Sequence, residues 1–356
     1  MDGIINVYKE KGYSSHDVVA RLRGICKERH IGHTGTLDPA ATGVLPICLG
    51  WATKVCDMLT DRSKVYETVV LLGVETNSED ATGSLIAAKD VSNITDEMIY
   101  EAINSMVGEI EQVPPMLSAK RVQGQRLYDL ARQGIETERK AKLITVNSIE
   151  VISEIKRQSL SEIKDFKVFE DSDLYKYPDN LGDDDGHWHW ENEGIFTEDN
   201  QKLQVIRLAL RISCEKGTYI RTICSDIGKK LGCGGCMERL LRTRVGEFGI
   251  EGSLRIEELE RRFSKYFENN DMSELSDILL SPDKCFMQYK SYNTKEKHDQ
   301  VLHNGNLLHF RHFREYINEP EQIVRVYDST GHFCGVYEWN EERKLYRPLK
   351  MFCGKN

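Results

Sequence analysis

Apolar positions along this chain fall into short blocks of two different periods. IINVY (4–8) is a short apolar run of strand length. DVVARLRGICKE (17–28) spaces its apolar residues at helical intervals, with Ser14 or Ser15 placed to cap its start. WATKVCDMLT (51–60) predicts a helix, and KVYETVVLLGV (64–74) alternates and then turns apolar, as a central strand does. ETNSEDATGSLI (75–86) predicts a turn leading into another strand. TDEMIYEAINSMVGEI (95–110) reads as an amphipathic helix capped by Thr95. Pro114 and Pro115 then stop regular structure.

LITVNSIEVISEI (143–155) and LQVIRLALRISC (203–214) predict neighbouring strands, with the stretch between them at their hairpin tip. That stretch, 156–202, loses periodicity and holds DDD at 183–185 and HWHW at 187–190. It is expected to be an insertion of loop or partly disordered chain. TYIRTICSDIGKKLG (218–232) predicts a helix closed by a glycine, MERLLRTRVGEF (237–248) a helix and then a strand, and 256–281 one or two surface helices. QIVRVYDSTGHFCGVYEW (322–339) predicts two strands around a Ser-Thr-Gly turn. The division expected is a main domain over 1–284 and a small β-rich module over 285–356.

With 356 residues and 40% apolar content, the chain can form one large domain and a smaller one. No apolar run is long enough to span a bilayer, and no secretory pattern opens the sequence, so a cytoplasmic protein away from membranes is expected. Ten scattered cysteines agree with a reducing compartment. Cys233 and Cys236 form a lone CxxC within LGCGGC, and small residues at a helix-packing site explain it better than a metal; no metal is expected there or at HWHW. The net charge of −9 argues against a nucleic-acid partner. Its distribution reverses that argument. Residues 154–202 hold 14 acidic and 6 basic side chains, leaving 42 basic and 43 acidic elsewhere, enough for a basic groove.

The candidate chemistry begins in GHTGTLDPAATGVLP (32–46), too broken for one long helix and too polar for a plain buried strand. Asp38 precedes Pro39, so it is either a turn former or a carboxylate held rigidly for reaction. In CEKGTYIRTICSDIGKKLG (214–232), Arg221 falls in the first helical turn. The helix dipole disfavours a cation there unless it has an anionic partner, and Asp38 is a candidate. Tyr66, opening the 64–74 strand, reads by itself as a core tyrosine. PPMLSAKRVQGQRLYDLARQG (114–134) interleaves Lys120, Arg121, Arg126 and Arg132 with Tyr128. That mixture suits a phosphate backbone with a stacked base, or a solvated helix face.

In this order GHTGTLDPAATGVLPICLGWATK, KVYETVVLLGVETNSEDATG, the 114–134 block, and CEKGTYIRTICSDIGKKLGCGG with ERLLRTRVGEF closely resemble the TruB-type pseudouridine synthases. The resemblance covers most of residues 3–155 and 203–260. It implies an α/β (α+β) catalytic domain on a mixed, largely antiparallel sheet, with a small C-terminal β-rich PUA-like module. It also implies conversion of uridine 55 in the T arm of tRNA to pseudouridine, without metal or cofactor, by a monomer. Asp38 then falls on the catalytic aspartate, acting as nucleophile or base, and Arg221 on its partner. Tyr66 falls on the tyrosine that stacks on the target base. His33 falls on the histidine that fills the space left by flipped nucleotides, and Tyr219 and Leu240 on further pocket contacts. Two departures stand out. Glu10 replaces a proline, which predicts a looser turn, and Leu117 replaces an aromatic residue. Two other readings remain: a guide-RNA-dependent relative, disfavoured by the short tail and acidic chain, and a tRNA-folding chaperone.

Overall fold

The computed structural model describes residues 1–116, 121–122, 125–126, 135, 137–162, 173–176, 195 and 198–353. Among them, seven strands form the body of a central sheet: β1 (Gly3–Lys9), β2 (Thr42–Leu49), β3 (Lys64–Leu72), β4 (Gly108–Gln112), β5 (Lys142–Val151), β6 (Gln204–Cys214) and β7 (Gly235–Val245). Their spatial order is β1-β2-β7-β3-β6-β5-β4. Every pairing along this path is antiparallel except β2–β7. The mixed, largely antiparallel α/β architecture is the one expected.

The strands at the centre are buried on both faces, so their side chains sort into two cores by alternation. Tyr66, Val70, Leu210, Ile212 and Leu240 point to one face, which is covered by helices α2 (Asp96–Asn104) and α3 (Ile220–Lys230). Val69, Ala209 and Leu241 point to the other. There they meet Phe286, Phe333, Val336 and Phe352 from the C-terminal part of the chain. That part forms a second sheet, β8 (Lys290–Asn293), β9 (Ile323–Tyr327), β10 (Phe333–Asn340) and β11 (Leu345–Met351), in the order β8-β9-β10-β11. Helices α1 (Ser15–Cys26) and α4 (Ile256–Asn269) pack beside β1 and β2. Ser14 caps α1 in a capping box with Asp17, as the sequence pattern suggested.

Several expectations require correction. The 95–110 helix ends at Asn104, and 108–112 is strand β4. Gly108 at φ +103° makes the break, in a conformation that other residues rarely adopt. Residues 51–60 form a 3-10 turn over Gly50–Val55 followed by a short helix, Cys56–Thr60. The 237–248 segment has no helix: β7 runs straight through 235–245. The 32–46 stretch is only partly loop, because Ile31–His33 and β2 are paired strands. The turn around Glu10 is not loose. Glu10 pairs with Arg255 at 2.8 Å, Lys9 Nζ donates to the carbonyls of Glu10, Tyr13 and Pro39, and Gly12 N–H donates to Pro39 O at 2.9 Å. Leu117 lies outside the described residues, as do most positions of the acidic insertion. Parts of what is described of that insertion are packed. Lys156–Ser159 pairs with β6, and Leu174 is buried on the face away from Tyr66 and Leu240.

LGCGGC performs the packing role expected. A Cβ on Gly228 of α3 would lie 2.2 Å from both the Gly234 carbonyl carbon and the Gly235 nitrogen. Helix and strand therefore touch backbone to backbone, and both cysteines are buried. Gly228→Ala should destabilise the protein by at least ~1–3 kcal/mol, the usual cost of overpacking. Urea unfolding monitored by fluorescence measures it, and an unchanged midpoint would contradict this contact.

Candidate active site

The loop between Ile31–His33 and β2 is short and tied at several points. Ser15 Oγ accepts from Leu37 N–H at 2.9 Å, and Ala41 N–H donates to Asp38 O at 3.0 Å, closing a turn around Pro39. Gly43, at φ +108°, lets β2 cross beside β7, since a Cβ there would lie 2.2 Å from Arg242 O. These ties present the Asp38 carboxylate to a pocket of about 260 Å³. That is below the roughly 300–1,000 Å³ typical of drug-sized ligands, and suits a single ring.

Arg221 reaches the same pocket from the start of α3. Its Nη2 lies 3.0 Å from Asp38 Oδ2. Its Nη1 donates to Ser78 O at 3.0 Å and lies 3.7 Å from Asp80 Oδ2. The guanidinium is 5% exposed, so it is a fixed cation clamped between two carboxylates. Asp80 is itself anchored: Oδ1 accepts from Ser78 Oγ at 2.7 Å and from Thr82 N–H at 3.0 Å. Asp80 and Ser78 were missed by sequence reasoning, although the SED-x-T turn chemistry was present to read.

The Asp38 side chain remains 42% exposed, because the pocket opens onto it, while protein surrounds its other sides. Burial raises its pKa above the ordinary aspartate value, Arg221 opposes that rise, and the Asp80 charge adds to it. Arg221 is thus the main influence holding the carboxylate in its charged form.

Tyr66 lies on β3 between Arg242 of β7 and Ile212 of β6. Burial raises the pKa of its phenol, with Arg242 in opposition, so Tyr66 is a neutral phenol at neutral pH. Leu240 stands two residues from Arg242 on the same face of β7, and both line the pocket. Arg242 was also missed. Its Nε donates to Val44 O at 2.8 Å, and its buried Nη2 has no hydrogen-bond partner. Tyr219, just before α3, lines the pocket too. The Gln112 amide grips its backbone, donating to Tyr219 O at 3.0 Å and accepting from Tyr219 N–H at 2.8 Å. Lys64 completes the rim. Burial lowers its pKa to about 8.

The structure therefore brings together Asp38, Tyr66, Tyr219, Arg221 and Leu240. It places His33 apart from the pocket lining, edge-on to His16 with ring centroids 5.3 Å apart. Burial and the neighbouring charges lower the His33 pKa, so it is neutral at pH 7. Arg121 and Arg126 sit opposite each other in a two-strand hairpin. Lys120 and Arg132 lie outside the described residues.

An aspartate–arginine pair at a small pocket on this sheet defines a candidate catalytic centre. A profile of the TruB family pseudouridylate synthase N-terminal domain matches residues 23–175, and one of the tRNA pseudouridylate synthase B C-terminal domain matches 221–287. The chain is 40% identical to the tRNA pseudouridine synthase B of Lachnoclostridium phytofermentans, over 99% of this chain and 100% of that one. It is 36% identical to the Clostridium perfringens protein of the same name, over 96% of each chain. Against its Bacillus cereus counterpart it is 33% identical, over 99% and 97%. The chain belongs to the TruB family of pseudouridylate synthases. The fold is also that of two solved complexes, each 20% identical. The archaeal box H/ACA Nop10–Cbf5 complex has a TM-score of 0.60, covering 99% of this chain and 87% of that one. An H/ACA ribonucleoprotein bound to a substrate RNA has a TM-score of 0.59, covering 98% and 84%.

Proposed function

We propose that this protein isomerises uridine 55 in the T loop of tRNA to pseudouridine, acting alone and without a guide RNA. The observation that carries the reading is the Asp38–Arg221 pair at 3.0 Å, at the floor of a pocket sized for one base. Curated relatives named tRNA pseudouridine synthase B, matched along nearly their whole length, supply the substrate class.

The reaction breaks the C1′–N1 bond, turns the uracil and rejoins it through C5. The proton leaving C5 is balanced by one gained at N1, so no oxidant or reductant is consumed. The target base lies in a folded loop and must be extruded, at a cost of a few kcal/mol. Asp38 acts as nucleophile or base. Tyr66 stacks on the uracil as a neutral phenol, and Leu240 forms an apolar wall. Tyr219 borders the base, and His33, outside the pocket, occupies the space left in the T loop. Arg121 and Arg126, with Lys120 and Arg132, contact phosphates. The module from about residue 285 binds RNA on the acceptor side, and the enzyme works as a monomer in the cytoplasm.

The test is purified protein with an unmodified tRNA transcript, with pseudouridine mapped by reverse transcription after carbodiimide treatment. Modification at position 55 without added guide is expected. Product that appears only with a guide RNA would overturn the stand-alone reading. Faster tRNA refolding with no product at all would favour a chaperone.

A further inference from the structure

We propose that His303, Cys334 and Cys353 form a zinc site that fastens the end of the chain to the C-terminal sheet. One ligand atom from each residue lies within 4.8 Å of the other two. The three come from separate elements: the short helix Asp299–His303, strand β10, and the two residues after β11. Sequence spacing could not reveal such a set, which is why no metal was expected.

The local geometry supports a built site. Phe352 N–H donates to Cys334 O at 2.8 Å, which holds the Cys353 backbone beside β10. Asp328 lies behind His303. Its Oδ1 is held by Thr330 N–H at 2.9 Å, Thr330 Oγ1 at 2.6 Å and His332 N–H at 3.0 Å, and its Oδ2 faces His303 Nε2 at 3.2 Å. A carboxylate that orients an imidazole is the usual support for a metal-ligating histidine. The second, independent observation is Tyr337. Its side chain is fully buried in the same cluster as Cys334, with Cys353 packed against that cluster, and its hydroxyl has no hydrogen-bond partner. Thiolates bound to a cation would give that hydroxyl a strong acceptor.

Two sulfurs and an imidazole select a borderline-soft ion such as zinc over magnesium or calcium. Tetrahedral zinc with bonds near 2.0–2.3 Å needs its ligand atoms about 3.5–3.8 Å apart, a contraction of about 1.3 Å at most. Water fills the fourth position. Binding displaces the thiol protons to solvent, so affinity rises with pH. Cys353 lies two residues after Met351, whose carbonyl accepts from Lys54 Nζ at 2.8 Å, so the ion would also steady this contact between the C-terminal sheet and the segment that follows β2.

The experiment uses the full chain, fully reduced, loaded with zinc and passed over a weak chelating resin before elemental analysis. About one zinc per chain should be retained. Cys353→Ser and His303→Gln should each lower zinc affinity by at least roughly tenfold, and Asp328→Asn by about 10–100-fold. Cys26→Ser, a buried cysteine far from the set, should leave it unchanged. Cobalt in place of zinc should give a sulfur-to-metal charge-transfer band that weakens in Cys353→Ser. Circular dichroism confirms that each variant is folded. If Cys334→Ser does not fold, the half-buried Cys353 variant and the cobalt spectrum still decide. Wild-type protein that retains no zinc, or a Cys334→Ser/Cys353→Ser double variant that retains as much as wild type, overturns the proposal. So does a Cys334–Cys353 disulfide in the isolated protein that takes up no zinc after reduction.

Discussion

Asp38→Asn is expected to lower the single-turnover rate of pseudouridine formation by at least on the order of 10³-fold, while tRNA binding stays within a few fold. Asparagine has nearly the shape of aspartate, so the turn can persist. Its amide oxygen can still face Arg221. What disappears is the negative charge and, with it, both roles open to the residue, attack on the nucleotide and proton abstraction. The Arg221 guanidinium keeps Ser78 O at 3.0 Å and Asp80 at 3.7 Å, so the far side of the clamp survives. Because the Asp38 side chain is 42% exposed, losing its charge should cost little folding stability. Thermal melting and filter binding check those two points, and quenched-flow assay of the transcript checks the rate. Turnover within tenfold of the wild type would mean that another group performs the chemistry.

The features that the sequence revealed are those with a local cause. A continuous apolar run placed β3 at the sheet centre, and matching strand patterns placed β5 beside β6, where Ile149 faces Ile212. The Ser14 cap and the small-residue packing site at LGCGGC could be read from a few adjacent residues. Strand β7 could not. MERLLR is rich in good helix formers, and its charged residues look like a solvated helix face. In the fold these charges are buried and each has a partner: Glu238 pairs with Arg207, Arg239 donates to Leu174 O at 2.7 Å, and Arg242 donates to Val44 O. Their partners come from distant segments, so nothing in a short window announces a strand. The site divides in the same way. Asp38 and Arg221 could be suggested as a pair from the helix dipole, and the family resemblance made the pairing definite. Arg242 escaped notice because its importance comes only from what the fold sets beside it, and the turn signal at Asp80 did not show that the fold would set it beside Arg221.

Arg221→Met should reduce the rate by about 10²–10³-fold at neutral pH and move the acid limb of the pH–rate profile upward. The sign follows from the forces on Asp38. The reaction uses its carboxylate form, so the rate falls as pH drops through its pKa. Burial already raises that pKa, and Arg221 is the strongest influence lowering it. Removing the cation lets burial and the Asp80 charge act unopposed, so the pKa rises and the limb follows it. Part of the lost rate should therefore return at high pH, whereas Asp38→Asn shows no such recovery. Methionine keeps the apolar stem but leaves Asp80, 11% exposed, without its cation. Breaking a fully buried pair costs ~3–5 kcal/mol. Solvent access to Asp38 screens its share, so about 2 kcal/mol is expected here by chemical denaturation. Rates measured from about pH 5 to 9 separate two roles for Arg221. A lowered rate with an unmoved acid limb would mean that it serves the fold or the RNA rather than the charge on Asp38. An upward shift, with recovery in alkali, is the signature of a cation that lowers the pKa of that carboxylate against the burial that raises it.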